Sequence, residues 1–293
     1  MLTRRQVRRV VDLALDEDAP SGDLTSEVFV PATAVAGARV VAREAGVMAG
    51  GDVLVETFAA VDPAVVVEVL RADAEPFAAG DVLATVEGPA RAVLRGERVA
   101  LNLVQRLCGI ATLTARYVEA VEGTGVRIVD TRKTTPGLRA LERHAVRCGG
   151  GRNHRFSLSD AVMAKDNHLA LVDDVTAAIR QAREQLPHTT HVEVEVDRLD
   201  QVEAVLAGGV DTIMLDNFTP DELRAGVALV AGRAIVEASG GITLETVGEV
   251  ARTGVDVISV GALTHSVRAL DLGLDVEVGG AGGAGAGAAG PAE

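Results

Sequence analysis

Apolar and polar positions follow two different rhythms along the chain, which predicts two regions of different architecture. The first region opens with Val7, Val10, Val11, Ala14 and Leu15 at helical spacing. Short β-rich runs follow, among them ARVVARE, VVVEVLR and DVLATVEG, with glycines between them. A long segment, ERVALNLVQRLCGIATLTARYVEAV, then keeps helical periodicity over several turns. We expect this helix to connect the two regions.

From about residue 126 the pattern becomes regular. Short apolar runs (VRIVD, HVEVEVD, VDTIMLDN, RAIVEASGG and VDVISVGA) alternate with segments of helical periodicity that end near glycine. A further strand is expected near AVMAKDN. Strands alternating with helices indicate βαβ units and a parallel sheet. The number of strands favours a closed or nearly closed α/β barrel over a doubly wound sheet.

Composition narrows the class of protein. The chain is 48% hydrophobic and only 2% aromatic, so its core must consist of aliphatic side chains, which suits parallel strands covered by helices. Its net charge of −14 argues against nucleic acid or an anionic membrane as the main partner. No apolar run approaches the roughly 18 residues of a membrane span. The amino-terminal segment has no cleavage pattern, and Cys108 and Cys148 form no CxxC pair, so we expect a cytoplasmic protein.

Polar residues and glycines stand where the strands of the second region end. Functional residues of α/β barrels lie at the carboxyl ends of the strands. A polar residue at one strand end marks no more than the end of that strand, but the repetition at every end favours a functional site. These residues are Asp130, Arg132, Lys133, Glu195, Asp216, Asn217, Ser239, Gly240, Gly241 and Gly261.

The last two strand ends favour a phosphate site. Their sequences, SGGI and SVGALTHS, place Ser and Gly between a strand and a helix, where backbone N–H groups are available to an anion. Loops after the last strands of a barrel form the common phosphate site of that fold. Plain turns are the alternative interpretation, and the pair of loops at this spacing favours phosphate.

A basic cluster over residues 132–168 contains both lysines of the chain. Lysine and arginine together number 28, and only Lys133 and Lys165 are lysines. Arginine does not replace lysine where a compact charge is needed, so we expect both lysines to be functional. The cluster lacks the interleaved aromatics of a base-stacking surface. It therefore indicates a pocket for a small polyanion, with Arg143 expected on the solvent-exposed face of a helix.

Two carboxylates, Glu195 and Asp216, are expected at equivalent points of the rim on successive strands. Beside a cationic phosphate pocket, carboxylates hold Mg²⁺, bind ribose hydroxyls or move protons. Glu193 shares the face of Glu195 because side chains alternate along a strand. No His and Cys spacing typical of structural zinc is present, and His188 and His191 are given no role.

The motifs together resemble the quinolinate phosphoribosyltransferase family. The matching segments run in family order to about residue 275: LALDEDAPSGDLTS, GERVALNLVQRLCGIAT, DTRKTTPGLR, HAVRCGGGRNHRFSLSDAVMAKDNH, VEVEVD, MLDN, ASGGI and ISVGALTHSVRALDLGLD. The resemblance implies an N-terminal open α/β sandwich over residues 1–105, joined again by residues 265–278. It also implies a TIM-like α/β barrel over residues 106–264. The Gly/Ala-rich tail, 279–293, lies outside the family pattern and is predicted to be disordered.

The resemblance also implies an activity: phosphoribosyl transfer from phosphoribosyl pyrophosphate to quinolinate, with Mg²⁺. The products implied are pyrophosphate, CO₂ and nicotinate mononucleotide for NAD biosynthesis. The resemblance further implies a homodimer with sites shared between the subunits. By motif, Arg106 reaches into the partner's site, where the quinolinate ligands are Arg106, Arg132, His154, Arg155 and Lys165. The implied catalytic residues are Lys133, Glu195 and Asp216, the last two also binding ribose hydroxyls and Mg²⁺. The implied 5-phosphate ligands are Ser239, Gly240, Gly241 and Gly261.

Two other classes of function fit part of the pattern. Another phosphate-binding barrel enzyme, such as an isomerase or a thiamin-phosphate synthase-like protein, would share the glycine loops but would not need RKTTPG or the block from NHR to KDNH. A binding module without catalysis would use the cationic pocket, yet would have little use for Glu195 and Asp216 beside it.

Overall fold

The structure is a computed structural model that describes residues 2–277, and its first region is built around an antiparallel sheet. The elements of this region are α1 (Arg4–Asp18), α2 (Leu24–Phe29), β1 (Val35–Ala42), β2 (Gly46–Val47), α3 (Gly51–Val61), β3 (Val66–Val69), β4 (Pro76–Phe77) and β5 (Val82–Pro89). Thr3 caps the start of helix α1: its hydroxyl accepts from Gln6 N–H, and the Gln6 side chain accepts from Thr3 N–H. The amphipathic first helix is therefore present, and it buries Val7 and Val11.

A 31-residue helix, α4 (Ala90–Ala120), joins this region to the next. At 1.5 Å per residue it extends about 45 Å, and it crosses the boundary expected at residues 105/106 without a break. Its first half packs on α3, and its second half packs on the helix after the next strand. Gly109 lets the backbone of Arg268 approach α4 closely, because any side chain there would meet the Arg268 carbonyl. The helix therefore belongs to the cores of both regions.

The second region is a barrel of parallel strands. Its elements are β6 (Arg127–Val129), α5 (Arg139–Cys148), β7 (Val162–Ala164), α6 (Asp166–Leu169), α7 (Val175–Gln185), β8 (Val192–Val196), a 3-10 turn (Leu199–Gln201), α8 (Val202–Gly208), β9 (Thr212–Asp216), α9 (Pro220–Val230), β10 (Ile235–Ser239), α10 (Val247–Ala251), β11 (Val257–Ser259) and α11 (Ala262–His265). The six strands run in the order β6-β11-β10-β9-β8-β7, and every neighbouring pair is parallel.

The barrel is incomplete between its two edge strands, β6 and β7. Within residues 2–277 no ladder joins these strands, and Arg152 instead forms a single parallel bridge with Val129 of β6. The prediction of a nearly closed barrel next to an N-terminal α/β sandwich is confirmed. The strand expected near AVMAKDN is β7, and it completes the set of six.

The chain returns to the first sheet at its described end. Strand β12 (Leu272–Glu277) pairs antiparallel with β1, so the first sheet has the order β12-β1-β5-β3. Two ion pairs, Arg268 with Glu44 at 2.6 Å and Arg43 with Asp275 at 2.5 Å, accompany this return. The predicted disorder of 279–293 lies outside the described residues. Between residues 2 and 277, no helix has both the length and the apolar character of a membrane span.

Candidate active site

The carboxyl ends of the barrel strands surround a cavity of about 490 Å³. Ten of the twelve residues that the family motifs select line this cavity, and Arg106 and Gly261 do not. The ten residues are Arg132, Lys133, His154, Arg155, Lys165, Glu195, Asp216, Ser239, Gly240 and Gly241. Strand topology explains this convergence, because parallel strands deliver the residues that follow them to the same rim.

Several cations of the cavity have few protein partners. Lys133 makes hydrogen bonds only through its backbone in the described structure, and Arg132 Nε is buried without an acceptor. Burial and the neighbouring charge of Arg132 lower the pKa of Arg155. Like charges held close together without counter-ions are costly unless a ligand neutralises them. The cavity is therefore suited to a polyanion.

The two rim carboxylates stand at different heights. Glu195 of β8 lies opposite Met214 of β9, whereas Asp216 lies two residues further along β9, opposite Ser239 of β10. The prediction of equivalent positions was therefore wrong, because the β8–β9 register offsets them by one inward-facing layer. Glu195 forms an ion pair with Lys165, and Asp216 accepts a hydrogen bond of 2.6 Å from the Asn217 amide.

Glycine shapes the loop after β10 for close approach by a ligand. Gly240 has φ +91°, and a side chain there would collide with Asn217. Gly241 has φ +61° and faces open space. Both glycines line the cavity, and a turn of this kind exposes backbone N–H groups to an anion, which suits a phosphate. Gly261 has a different role. A Cβ at this position would lie 3.0 Å from Lys133 Cδ, so the lack of a side chain on Gly261 leaves room for the lysine side chain.

A buried ion pair supports the floor of the site. Arg143 is 1% exposed, and its guanidinium donates to Asp130 Oδ1 at 2.7 Å and to the backbone carbonyls of His154 and Arg155. It also lies 4.3 Å from the centre of the Phe156 ring. The expectation that Arg143 lies on the surface was wrong, because its face of α5 points at the end of β6. The pair fixes the segment that presents His154 and Arg155 to the cavity.

At the floor of the cavity, His154 meets two buried glutamates. Its Nε2 lies 3.0 Å from Glu193 Oε2 and 3.5 Å from Glu237 Oε2. Burial opposes a charge on His154, but hydrogen bonds to Glu193 and Glu237 outweigh burial and raise its pKa to about 10. Burial, together with the charge of Glu237, raises the pKa of Glu193. His154 is therefore a cation at neutral pH.

Arg106 stands apart from the other predicted ligands. Its guanidinium pairs with the fully buried Glu142 at 2.6 Å and donates to Thr135 Oγ1 at 2.9 Å and to the Thr264 carbonyl at 2.8 Å. The same α11 residue, Thr264, donates through its hydroxyl to the Lys133 carbonyl at 2.8 Å. Arg106 thus stabilises, within its own chain, the loop after β6 that contains Lys133. It does not line the cavity.

Sequence reasoning missed the role of Glu237 and gave Glu193 none of its own. A usable signal was present for Glu237, which is a single acidic residue inside the apolar run AIVEAS and is 3% exposed. A lone carboxylate within a buried strand needs a partner, and that partner, His154, stands far away in the sequence.

The fold and this cavity define a class of protein: an α/β barrel enzyme that binds anionic substrates at the carboxyl ends of its strands. The model of the quinolinate phosphoribosyl transferase N-terminal domain matches residues 23–108, and that of the C-terminal domain matches residues 110–275. The chain belongs to the quinolinate phosphoribosyltransferase family.

Similar proteins agree with this membership. A nicotinate-nucleotide pyrophosphorylase [carboxylating] of Mycobacterium leprae is 46% identical over 92% of this chain and 96% of its own length. A probable enzyme of the same name from Bacillus subtilis is 43% identical over 92% of this chain and 93% of its own length. The crystal structure of NadC from Streptococcus pyogenes superposes with a TM-score of 0.90 at 42% identity, covering 94% of this chain and 99% of that one.

Proposed function

We propose that this protein transfers the phosphoribosyl group of phosphoribosyl pyrophosphate to quinolinate and releases pyrophosphate and CO₂. The remaining product is nicotinate mononucleotide, a precursor of NAD. One observation supports this most strongly: a single cavity combines unpaired cations, two rim carboxylates and a glycine loop. A diacid, a diphosphate and a ribose phosphate need these three features together.

Quinolinate binds at the cationic side of the cavity. Arg132 and Arg155 supply planar guanidinium groups, which pair with carboxylates in a bidentate manner. His154 adds a fixed positive charge because its pKa is about 10. Lys165, tied to Glu195, stands between the two substrates and supplies the fourth cation. Lys165 and His154 already have carboxylate partners, whereas Arg132 and Arg155 form no ion pair within residues 2–277. Two unpaired guanidinium groups match the two carboxylates of quinolinate and favour it over a monoacid such as nicotinate.

The phosphoribosyl substrate occupies the remaining rim. Its 5-phosphate meets the N–H groups of the loop Ser239–Gly241, and Gly261 leaves space for Lys133 to reach the pyrophosphate. Glu195 and Asp216 stand beside the ribose hydroxyls. As the bond to pyrophosphate lengthens, these carboxylates stabilise the positive charge that develops on the ribosyl carbon, and Lys133 stabilises the negative charge on the leaving group.

The rim carboxylates also fit Mg²⁺ as cofactor. Their donors are oxygen atoms only, which is the ligand type that Mg²⁺ selects, and one or two carboxylates with substrate phosphates are its usual set. Asp216 and Glu195 would hold it together with water and the diphosphate. Bound there, Mg²⁺ would neutralise charge on the leaving pyrophosphate.

Bond formation and decarboxylation then follow from charge. The pyridine nitrogen attacks the ribosyl carbon as the C–O bond to pyrophosphate breaks, and the nitrogen becomes positive. The adjacent carboxylate leaves as CO₂, and its electron pair stays on the ring carbon until a proton replaces it. The guanidinium groups hold the ring during these steps, and no nucleophilic Ser or Cys takes part.

We further propose that the enzyme works in the cytoplasm as a homodimer with sites shared between subunits. Because Arg106 is held by Glu142 in its own chain, it is not the residue that reaches a second copy. Arg98, about two turns earlier on α4, is exposed and makes no ion pair with any residue in the range 2–277. In the first half of α4, Arg91 and Arg95 donate to backbone carbonyls of their own chain. Arg98 is therefore the arginine of that half that is available to a partner's cavity.

The direct test incubates the protein with quinolinate, phosphoribosyl pyrophosphate and Mg²⁺ and measures CO₂ and nicotinate mononucleotide. We expect equal amounts of both, and no reaction when Mg²⁺ is replaced by a chelator. Nicotinate in place of quinolinate is the matched control and should react far more slowly. A protein that prefers nicotinate, or makes neither product while folded, would refute the proposed activity.

A mixing experiment tests the shared site. The variants Lys133→Ala and Arg98→Ala are each expected to be nearly inactive. If Arg98 completes the partner's site, refolding the two variants together creates mixed dimers with one intact site, and part of the activity returns. Arg106→Ala in place of Arg98→Ala should not complement in this way. No recovery in the first mixture would refute sharing through Arg98.

A further inference from the structure

Away from the cavity, three potential metal ligands meet between the two regions. His144 and Cys148 lie one turn apart on α5 and share a face, while Asp73 comes from the loop between β3 and β4. His144 Nε2 is 2.6 Å from Asp73 Oδ2 and 3.5 Å from Cys148 Sγ. One donor atom from each residue lies within 4.8 Å of the others. These side chains take no part in the proposed reaction.

We propose that Asp73, His144 and Cys148 bind one divalent transition-metal cation such as Zn²⁺. This cation would link the N-terminal region to the barrel. Thiolate, imidazole and carboxylate are the ligands that Zn²⁺ and Co²⁺ take, whereas Mg²⁺ avoids sulfur. In a tetrahedral site, Zn–S of about 2.3 Å and Zn–N of about 2.0 Å put sulfur and nitrogen about 3.5 Å apart. The separation of Cys148 Sγ from His144 Nε2 equals this value. His144 Nε2 and Asp73 Oδ2 are 2.6 Å apart, as in a direct hydrogen bond, and must separate to about 3.3 Å when a cation replaces the proton between them.

Asp73 is oriented as a ligating carboxylate should be. Its Oδ1 accepts hydrogen bonds from Gly50 N–H at 2.9 Å and Gly51 N–H at 3.0 Å, at the start of α3, and this leaves Oδ2 for the cation. Hydrogen bonds of this kind fix the orientation of metal ligands. The Asp73 and His144 side chains are 26% and 25% exposed, so a cation can enter and water can supply a fourth ligand. Cys148 is buried below them.

A simple ion pair between Asp73 and His144 is the alternative. Without a cation, a proton occupies the space between them, and the hydrogen bonds to Asp73 and then to Cys148 raise the pKa of His144 to about 10. One N–H group, however, points at one acceptor only. Helical spacing places the thiol on the same face as His144, but an ion pair with Asp73 gives that thiol no role. A cation in place of that proton contacts all three donors.

Cobalt provides the test, because thiolate bound to Co²⁺ gives a near-ultraviolet charge-transfer band, and tetrahedral Co²⁺ absorbs visible light. The chelator-treated protein is titrated with Co²⁺ at mildly alkaline pH in excess Mg²⁺, which keeps the rim carboxylates filled. We expect one equivalent to produce both signals and Zn²⁺ to remove them. Co²⁺ bound by oxygen ligands at the rim would give no sulfur charge-transfer band, so the band reports only on the Cys148 site. The result therefore does not depend on whether the proposed enzymatic activity is correct.

Three variants locate the ligands. Cys148→Ala should lose the charge-transfer band, and His144→Gln should weaken Co²⁺ binding at least about 100-fold. Cys108→Ala is the matched control, because Cys108 is the other buried cysteine. This substitution should leave the charge-transfer band intact. Zn²⁺ should raise the melting temperature of the wild type and Cys108→Ala but not of Cys148→Ala. No sulfur band in the wild type, or a band that depends on Cys108, would overturn the proposal.

Discussion

The rim of the barrel and the layer directly beneath it both contain charged residues, but they use charge in opposite ways. At the rim, Lys133 has only backbone hydrogen bonds and Arg132 has a buried nitrogen without an acceptor in the described structure. Beneath it, Arg143 pairs with Asp130, and His154 pairs with two glutamates. Under the proposed function, the rim leaves charge for substrates, whereas the lower layer uses charge to fix the backbone that presents the rim. His154 belongs to both groups, because it also lines the cavity.

This contrast implies that rim substitutions should reduce activity with little effect on folding, and that substitutions in the layer below should destabilise the protein. A buried pair that loses one partner leaves an uncompensated charge in a medium of low dielectric constant. Removing an exposed cation that has no protein partner changes the free energy of unfolding little. The four predictions that follow test this division, beginning with the largest effect.

Lys133→Ala should give the largest effect of any rim substitution. Removing a cation that stabilises the leaving group should lower kcat/KM about 10³-fold, while the free energy of unfolding changes by no more than about 0.5 kcal/mol. Steady-state kinetics and urea unfolding measure the two quantities. Arg147→Ala, at an exposed position on α5, is the control and should leave both unchanged. A strongly destabilised Lys133→Ala protein would break the proposed contrast.

Arg143→Met should destabilise the protein by about 3 kcal/mol, because Asp130 remains buried without its counter-charge. Urea unfolding measures the loss. The double variant Arg143→Met/Asp130→Asn should recover part of it, since the orphaned charge is gone. If the double variant is no more stable than Arg143→Met, the ion pair is not the source of the destabilisation.

His154→Gln should reveal the pH dependence of the lower layer. The pKa of His154 is raised from 6.5 to about 10, so its protonated form stabilises the fold. The stability advantage of the wild type over the variant should be complete below pH 6.5, at about 2 kcal/mol, and should fall as pH rises through 10. Unfolding curves over this range test the direction. An advantage that grows with pH would show that His154 is neutral in the fold.

Gly240→Ala should show the smallest effect and separate backbone shape from charge at the rim. A methyl group there collides with Asn217 and strains a residue at φ +91°, so the KM for phosphoribosyl pyrophosphate should rise about tenfold. Gly241→Ala, at φ +61° with open space around it, is the matched control and should raise KM much less. Equal effects of the two substitutions would exclude the Asn217 contact as the cause.

The sequence by itself determined the two-region architecture, the barrel and the cavity residues at the strand ends. Periodicity shows where a strand stops, and parallel strands bring those ends together, so Lys133 and Asp216 were placed at the cavity without a structure. Lys165 was selected because the chain contains only two lysines. The order of motifs also determined the family. These features depend on short stretches of chain, or on a geometry that every parallel barrel shares.

Tertiary structure alone decided which charges are paired. A helical pattern does not reveal that Arg143 faces a strand end, that Arg106 finds Glu142, or that Asp73 from the first region meets His144 on α5. The offset between Glu195 and Asp216 likewise follows from strand register. Each depends on residues that are distant in sequence and that come into contact only when helices and strands pack. The energy of a charge depends on its burial and its partner, and packing determines both.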